Sequence, residues 1–246
     1  MPDPRISVII PAYNEERYLP RLLTSLQAAR AAYTGGADAV EIIVADNDST
    51  DGTARVAAAH GARVVRVEKR AIAAARNGGA RAARGEILAF LDADTVSVHR
   101  DTFAAIEAAL QRPECAGGAT GVLLERWSAG IAVTFAIFVP MVVLLNIDTG
   151  VVFCRAEDFR AVGGYDESLL VAEDVKFLMA LRRRGRNTGA RLRRLPHVKA
   201  TVSTRKFDQH GEWHYLTMGP RLMLRWLRDR RSLSHDVLSY WYRPER

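Results

Sequence analysis

The sequence predicts an α/β fold built on a mostly parallel central sheet flanked by helices. Three observations lead there. Short apolar runs at 6–10, 40–45, 64–67 and 87–91 read as buried strands. Segments with helical spacing separate them. Acidic sequence follows the second and fourth runs, where a strand hands over to a loop. Strand, helix and strand in repetition imply right-handed crossovers and parallel pairing.

Each element has a local reason. The first strand is closed by Pro11. Asn14 reads as a helix N-cap, with Glu15 and Glu16 in a first turn that favours acids. Leu19, Leu22, Leu23 and Leu26 recur at helical spacing. Residues 33–39 form a loop, 40–45 a second strand, 46–52 a turn and 53–60 a short helix. A third strand at 64–67 precedes an Ala- and Arg-rich helix at 71–84, loosened by Gly78 and Gly79. The fourth strand follows, then a helix at 101–110.

The second half is less regular. Strands are expected at 117–124, 150–154 and 198–204, and helices at 156–162 and 173–184. Residues 127–146 carry no charge, close to the lower length limit of a membrane span. Pro140 interrupts them, and a span would put the two halves on opposite sides of a bilayer. A helix in the core, in a homo-oligomer interface or on a membrane surface is preferred. From 212 to 242 the chain reads as a basic, aromatic, helical tail.

Composition narrows the partners. The chain has 246 residues, 48% hydrophobic and 26% charged, enough for a sizeable core. Its net charge is +7 and its isoelectric point about 9.8, which favours anionic partners. No nucleic-acid reading motif accompanies that charge, so nucleic acid is not expected. Cys115 and Cys154 have no metal-type spacing, and a reducing compartment fits. Residues 1–5 lead into the first strand with no signal-peptide layout. A cytoplasmic protein, peripheral on the inner face of a membrane, is the expectation.

The chemistry concentrates after the fourth strand. Asp92 and Asp94 are two residues apart, so in extended chain both carboxylates face one volume. In open α/β sheets ligands bind just past the strand ends. Two acids there call for a cation, and a divalent ion carrying a diphosphate meets that need.

The ordered motifs resemble family 2 glycosyltransferases. Residues 7–16, with Pro11, Ala12, Tyr13 and Glu15, resemble that family's opening strand. Residues 46–53, from Asp46, resemble its second motif. Arg76 to Gly79, Gly85, Glu86 and 90–94 resemble its third, and Gly163 to Glu167 followed by Glu173 and Asp174 its fourth. The set covers residues 6 to about 185 in order.

The resemblance implies a GT-A fold with a Rossmann-like sheet. It implies a glycosyltransferase domain at 1–210, with a donor half at about 1–115, an acceptor half at about 116–210, and a helical extension at 211–246. Pro11, Ala12, Tyr13 and Glu15 are then expected to line a nucleoside pocket, and Asp46 to bind the base, usually uracil. Arg70 and Arg76 belong near the diphosphate or organise its loop. Asp92, with Ala93 beside it, reaches the ribose or the metal's water shell. Asp94 ligates Mg²⁺ or Mn²⁺. Asp174 is the general base of an inverting transfer from a nucleotide-diphosphate sugar, UDP favoured, with Glu173 the lesser candidate.

The third metal ligand departs from the family. The strand expected to supply a histidine ends in Ser203 and Thr204, so His197 is a weak substitute. Leu222, Arg225 and Trp226 only half match a processive-synthase motif, so polymerisation is not expected. The acceptor is not encoded, although a lipid-linked one fits the uncharged segment. A retaining enzyme with a similar donor site, or a non-catalytic relative, are the alternatives.

Overall fold

A computed structural model describes residues 3–145, 147–169 and 172–213. The strands are β1 (Ile6–Ala12), β2 (Val40–Asp46), β3 (Arg63–Arg66), β4 (Ile87–Phe90), β5 (Thr95–Val98), β6 (Cys115–Leu124), β7 (Val152–Arg155) and β8 (Arg191–Val202). The helices are α1 (Leu19–Ala32), α2 (Thr53–Ala59), α3 (Ile72–Ala82), α4 (Thr102–Leu110), α5 (Ala129–Leu145), α6 (Ala156–Val162), α7 (Glu173–Arg186) and α8 (Arg205–His210).

All eight strands form one sheet in the order β3-β2-β1-β4-β7-β6-β8-β5. β3, β2, β1 and β4 are parallel, as the crossovers require. β7 runs antiparallel to both β4 and β6, and β5 antiparallel to β8. β6 and β8 are parallel. The sheet is therefore mixed beyond β4.

The pleat divides the core. Ile6, Val8 and Ile10 of β1 and Ile87 and Ala89 of β4 pack on one face with Leu22, Leu23 and Phe103. Ile9, Leu88 and Phe90 pack on the other with Phe159, Tyr165 and Phe177. There the aromatic rings nest, Tyr165 stacking on Phe177 at 4.3 Å and meeting Phe90 edge-on at 5.1 Å.

Several expectations need correction. Asn14 does not cap α1, which begins at Leu19 with no side-chain cap. Asn14 instead adopts a left-handed backbone and ties two loops together, and Glu15 and Glu16 lie ahead of the helix. Gly78 and Gly79 do not loosen α3. A Cβ on Gly79 would meet Ile9 Cγ2 at 2.5 Å, and one on Gly78 would meet Val67 Cγ2 at 2.5 Å. These glycines let the helix lie close on the sheet. β5 was not expected at all. β8 starts seven residues earlier than its apolar stretch, because its first half is arginine-rich and buries only Leu192 and Leu195.

Among the described residues no helix is long and apolar enough to cross a membrane. α5 is not a core helix either: it buries Ile131 and Thr134 but exposes Val133, Ile137, Val139 and Val143. The tail beyond residue 213, with Leu222, Arg225 and Trp226, lies outside the described residues.

Candidate active site

The crevice follows from strand order. From β1 the chain crosses to β2 and β3 on one side, while β4 pairs on the other. The carboxyl ends of β1, β2 and β4 therefore lie side by side, the position at which open α/β sheets bind ligands. Asp46 and Ala12 end their strands in register. Leu91, just past β4, still donates to the Ile9 carbonyl at 3.2 Å, so Asp92, Ala93 and Asp94 leave at the same level.

Loop-to-loop hydrogen bonds shape one wall. Asn14 Oδ1 accepts from the Thr50 amide at 2.9 Å, and the Asn14 amide donates to Ser49 Oγ at 3.0 Å. The Glu15 amide donates to Thr53 Oγ1 at 2.8 Å. Asp46 is buried and accepts from the Ser49 amide at 3.3 Å. Asn47 donates to the carbonyls of Val67 and Lys69, at 2.9 and 2.7 Å, and so anchors the loop that carries Arg70. The Arg70 guanidinium lies 5.0 Å from the centre of the Tyr13 ring and 3.6 Å from the Asp48 carboxylate. Tyr13, Asp46 and Arg70 thus belong to one set of interlocked loops. Ala12 and Ala93 put their side chains into the core below, so only their backbone can face the cleft.

Arg76 is the hub. It is 3% exposed, on α3, and touches three carboxylates. One terminal nitrogen, Nη2, donates to Asp92 at 2.7 Å. The other, Nη1, donates to Glu173 at 2.8 Å and lies 2.9 Å from Asp174 Oδ1. The Asp174 contact is a charge pair rather than an aligned hydrogen bond, since that oxygen has no hydrogen-bond partner. Burial opposes the charge of Arg76, but Asp174 and Asp92 outweigh it and raise its pKa.

Asparagine at the next position completes the clamp. Asn77 exchanges hydrogen bonds with the backbone of Tyr165, both at 2.9 Å, and donates to Glu167 at 3.0 Å. Gly164 makes this possible: its backbone is left-handed, and a Cβ would sit 2.7 Å from Asn77 Oδ1. Ala172 also adopts a left-handed backbone, at a cost of about 1 kcal/mol. α7 starts immediately after it, with Glu173 and Asp174 in its first turn.

The electrostatics distinguish the acids. Burial raises the Asp174 pKa to about 6, with Asp92 and Glu173 adding repulsion and Arg76 pulling it back. Burial and Asp174 also raise the neighbouring Tyr165 hydroxyl, although no aligned hydrogen bond joins the two.

Arg205, at the start of α8, was not foreseen. It donates to both oxygens of Glu15, at 2.9 and 2.5 Å, and its Nε lies 3.4 Å from the Asp94 carboxylate. Its guanidinium also lies over Tyr18 at 4.5 Å. No local signal marks an arginine 190 positions from its partner.

Among the described residues, Asp92, Glu173 and Asp174 gather on Arg76, and Glu15 and Asp94 on Arg205. A diphosphate brought among these acids would call for a further cation. The donor set suits an ion that brings phosphate and water ligands, because Mg²⁺ takes only one or two carboxylates in such sites. Among the described residues no three potential ligands converge into a protein cage. His197 is exposed on β8 and joins no cluster of three potential ligands among the described residues.

Residues 7–122 match a family model described as Glycosyl transferase family 2. An uncharacterized glycosyltransferase of Mycobacterium tuberculosis is 39% identical over 89 residues, 36% of either chain. The dolichyl-phosphate beta-glucosyltransferase of Drosophila melanogaster is 37% identical over 121 residues, 45% of this chain and 37% of that protein. The aligned part spans little more than a third of these relatives' length. The structure of a mannosyltransferase from Pyrobaculum calidifontis, in complex with GDP-Man and Mn²⁺, is similar over 90% of this chain and 65% of that one, with a TM-score of 0.63 and 20% identity. The motif order and the strand arrangement agree with these likenesses: residues 7–122 match the glycosyl transferase family 2 model, and the fold is that of the GT-A glycosyltransferase structures.

Proposed function

We propose that the protein is an inverting, metal-dependent glycosyltransferase that takes its sugar from a nucleotide-diphosphate donor. The observation that carries this is Arg76, which draws Asp92 of the donor half and Asp174 of the acceptor half into one cleft.

Tyr13, Asp46 and Arg70 hold the nucleoside, with the backbone at Pro11, Ala12 and Ala93 forming the floor. Asp46 favours uracil, whereas the archaeal neighbour's complex contains guanosine. Asp94, with Asp92 beside it, would hold Mg²⁺ or Mn²⁺. That ion, when bound, neutralises the diphosphate and eases its departure. Asp174 takes the proton from the acceptor hydroxyl as the oxygen attacks the anomeric carbon, and the nucleotide leaves from the opposite face. A pKa near 6 leaves Asp174 ionised at neutral pH yet basic enough to accept a proton.

The acceptor half includes α5, whose open apolar face suits an acceptor held at a lipid surface. A thermal-shift panel of UDP- and GDP-sugars with Mn²⁺ identifies the donor, because binding to the folded state raises its apparent stability. NMR of the product then reads the anomeric configuration. Absence of any donor-dependent shift, or a retained configuration, overturns the corresponding part of the proposal.

A further inference from the structure

α5 presents an unusual surface. Its inner side is packed, with Ile131 against Leu124 and Phe207. Its outer side leaves Val133, Ile137, Val139 and Val143 between 42% and 56% exposed. Leu123 at the end of β6, Trp127 at the entry to α5 and Trp213 are exposed as well. No charged side chain interrupts residues 127–146. Open apolar faces of this kind mark interaction sites.

Charge selects the partner. Arg126, just before α5, pairs with Asp208 and with Glu212 at 3.3 Å. The chain therefore passes the entry of α5 before continuing into residues 214–246, which contain seven arginines against three acids. Trp226, Tyr240, Trp241 and Tyr242 lie among those arginines. Two copies meeting through this face would bring together chains of net charge +7 each, with no use for the arginines. An anionic bilayer takes both features: acyl chains accept the apolar face and headgroups attract the arginines. Length points the same way. At 17 residues α5 is about 25 Å long, short of a span, and Pro140 lies inside it.

We infer that the outer face of α5 docks the protein flat on an anionic membrane surface, where it meets a lipid-linked acceptor. The docking rests on the open face of α5 and on the arginine content of residues 214–246, whereas the acceptor rests on the transferase reading.

The test is flotation of the full chain with phosphatidylglycerol-containing vesicles and with pure phosphatidylcholine vesicles, in the absence of donor. The wild type is expected to float with the anionic vesicles and to be released by salt. Val133→Asp with Ile137→Asp should reduce binding on the order of tenfold or more. Both positions are exposed, so the variant should keep its melting temperature and its donor-induced thermal shift. Wild type that fails to float at low salt overturns the docking, as does a double variant that floats equally well. A wild-type dimer in sedimentation that the variant loses, without vesicle binding, assigns the face to a second copy instead. Donor binding is read separately, so loss of one reading leaves the other standing.

Discussion

Arg76 lies 2.9 Å from Asp174, although 98 residues separate them and each comes from a different half of the fold. The same guanidinium holds Asp92. One buried cation thus holds Asp92, just past β4, and Asp174, the proposed base, to one another.

Removing that cation should cost both stability and activity. Arg76→Met leaves Glu173, Asp174 and Asp92 facing one another, and breaking a buried ion pair costs about 3–5 kcal/mol. Loss of Arg76 also removes the main force holding the Asp174 pKa down. Thermal melts should show the destabilisation, and the acid limb of any residual activity should move to higher pH.

Asp174 sets a pH dependence. As a base it must be ionised, so kcat/KM should fall as pH drops through about 6. The stability effect has the opposite sign. A carboxyl with a raised folded pKa binds its proton better in the native state, so its contribution is complete below the unfolded value near 4 and is lost as pH rises through about 6. Asp174→Asn should lower kcat by about 10²–10⁴-fold and abolish the limb near pH 6, while leaving donor affinity nearly unchanged. A limb that survives in the variant removes Asp174 from the role.

Asp94 is separable from Asp174 by binding alone. In Asp94→Asn the Mn²⁺-dependent thermal shift with the donor nucleotide should disappear, whereas Asp174→Asn should retain it. Calorimetric titration of Mn²⁺ with nucleotide present checks the same point without turnover.

Arg205 acts through Glu15 and Asp94. Arg205→Met should loosen the loop after β1 and leave both acids without this partner, weakening donor binding more than it weakens turnover. The expected signature is a rise in KM for the donor with kcat reduced less. Arg205→Lys should rescue only partly, because an ammonium cannot make the forked contact to Glu15.

Gly79→Ala is a test of the scaffold away from the chemistry. The added Cβ meets the fully buried Ile9 at 2.5 Å, so α3 must shift from the sheet and carry Arg76 with it. The expected cost is about 1–3 kcal/mol despite the better helix propensity of alanine. A neutral or stabilising result in thermal melts contradicts the close packing.

Much of the first half of the fold is legible in the sequence. Apolar runs ending in Asp46 and at Asp92 located two strand ends, because buried parallel strands read as unbroken hydrophobic stretches. β5 and the first half of β8 were hidden. β5 is only four residues of mixed polarity, and the first half of β8 is arginine-rich, with leucines three residues apart rather than a period-two pattern. The false cap at Asn14 had a physical basis too. An asparagine before a leucine-rich run can cap a helix, but here its side chain binds the amide of Thr50, a partner 36 residues away.

The sequence by itself determined the α/β architecture, the order of the motifs and the candidate acids, because periodicity and strand-end chemistry are local. Only the tertiary structure decided which charges meet. Arg76 could have served the diphosphate or its loop, and its place between Asp92 and Asp174 depends on how α3 and α7 pack on one sheet. Arg205 could be matched to Glu15 only once β8 had brought the chain back across the fold. Ion pairs between distant segments carry no periodic signal, so their partners emerge only from packing.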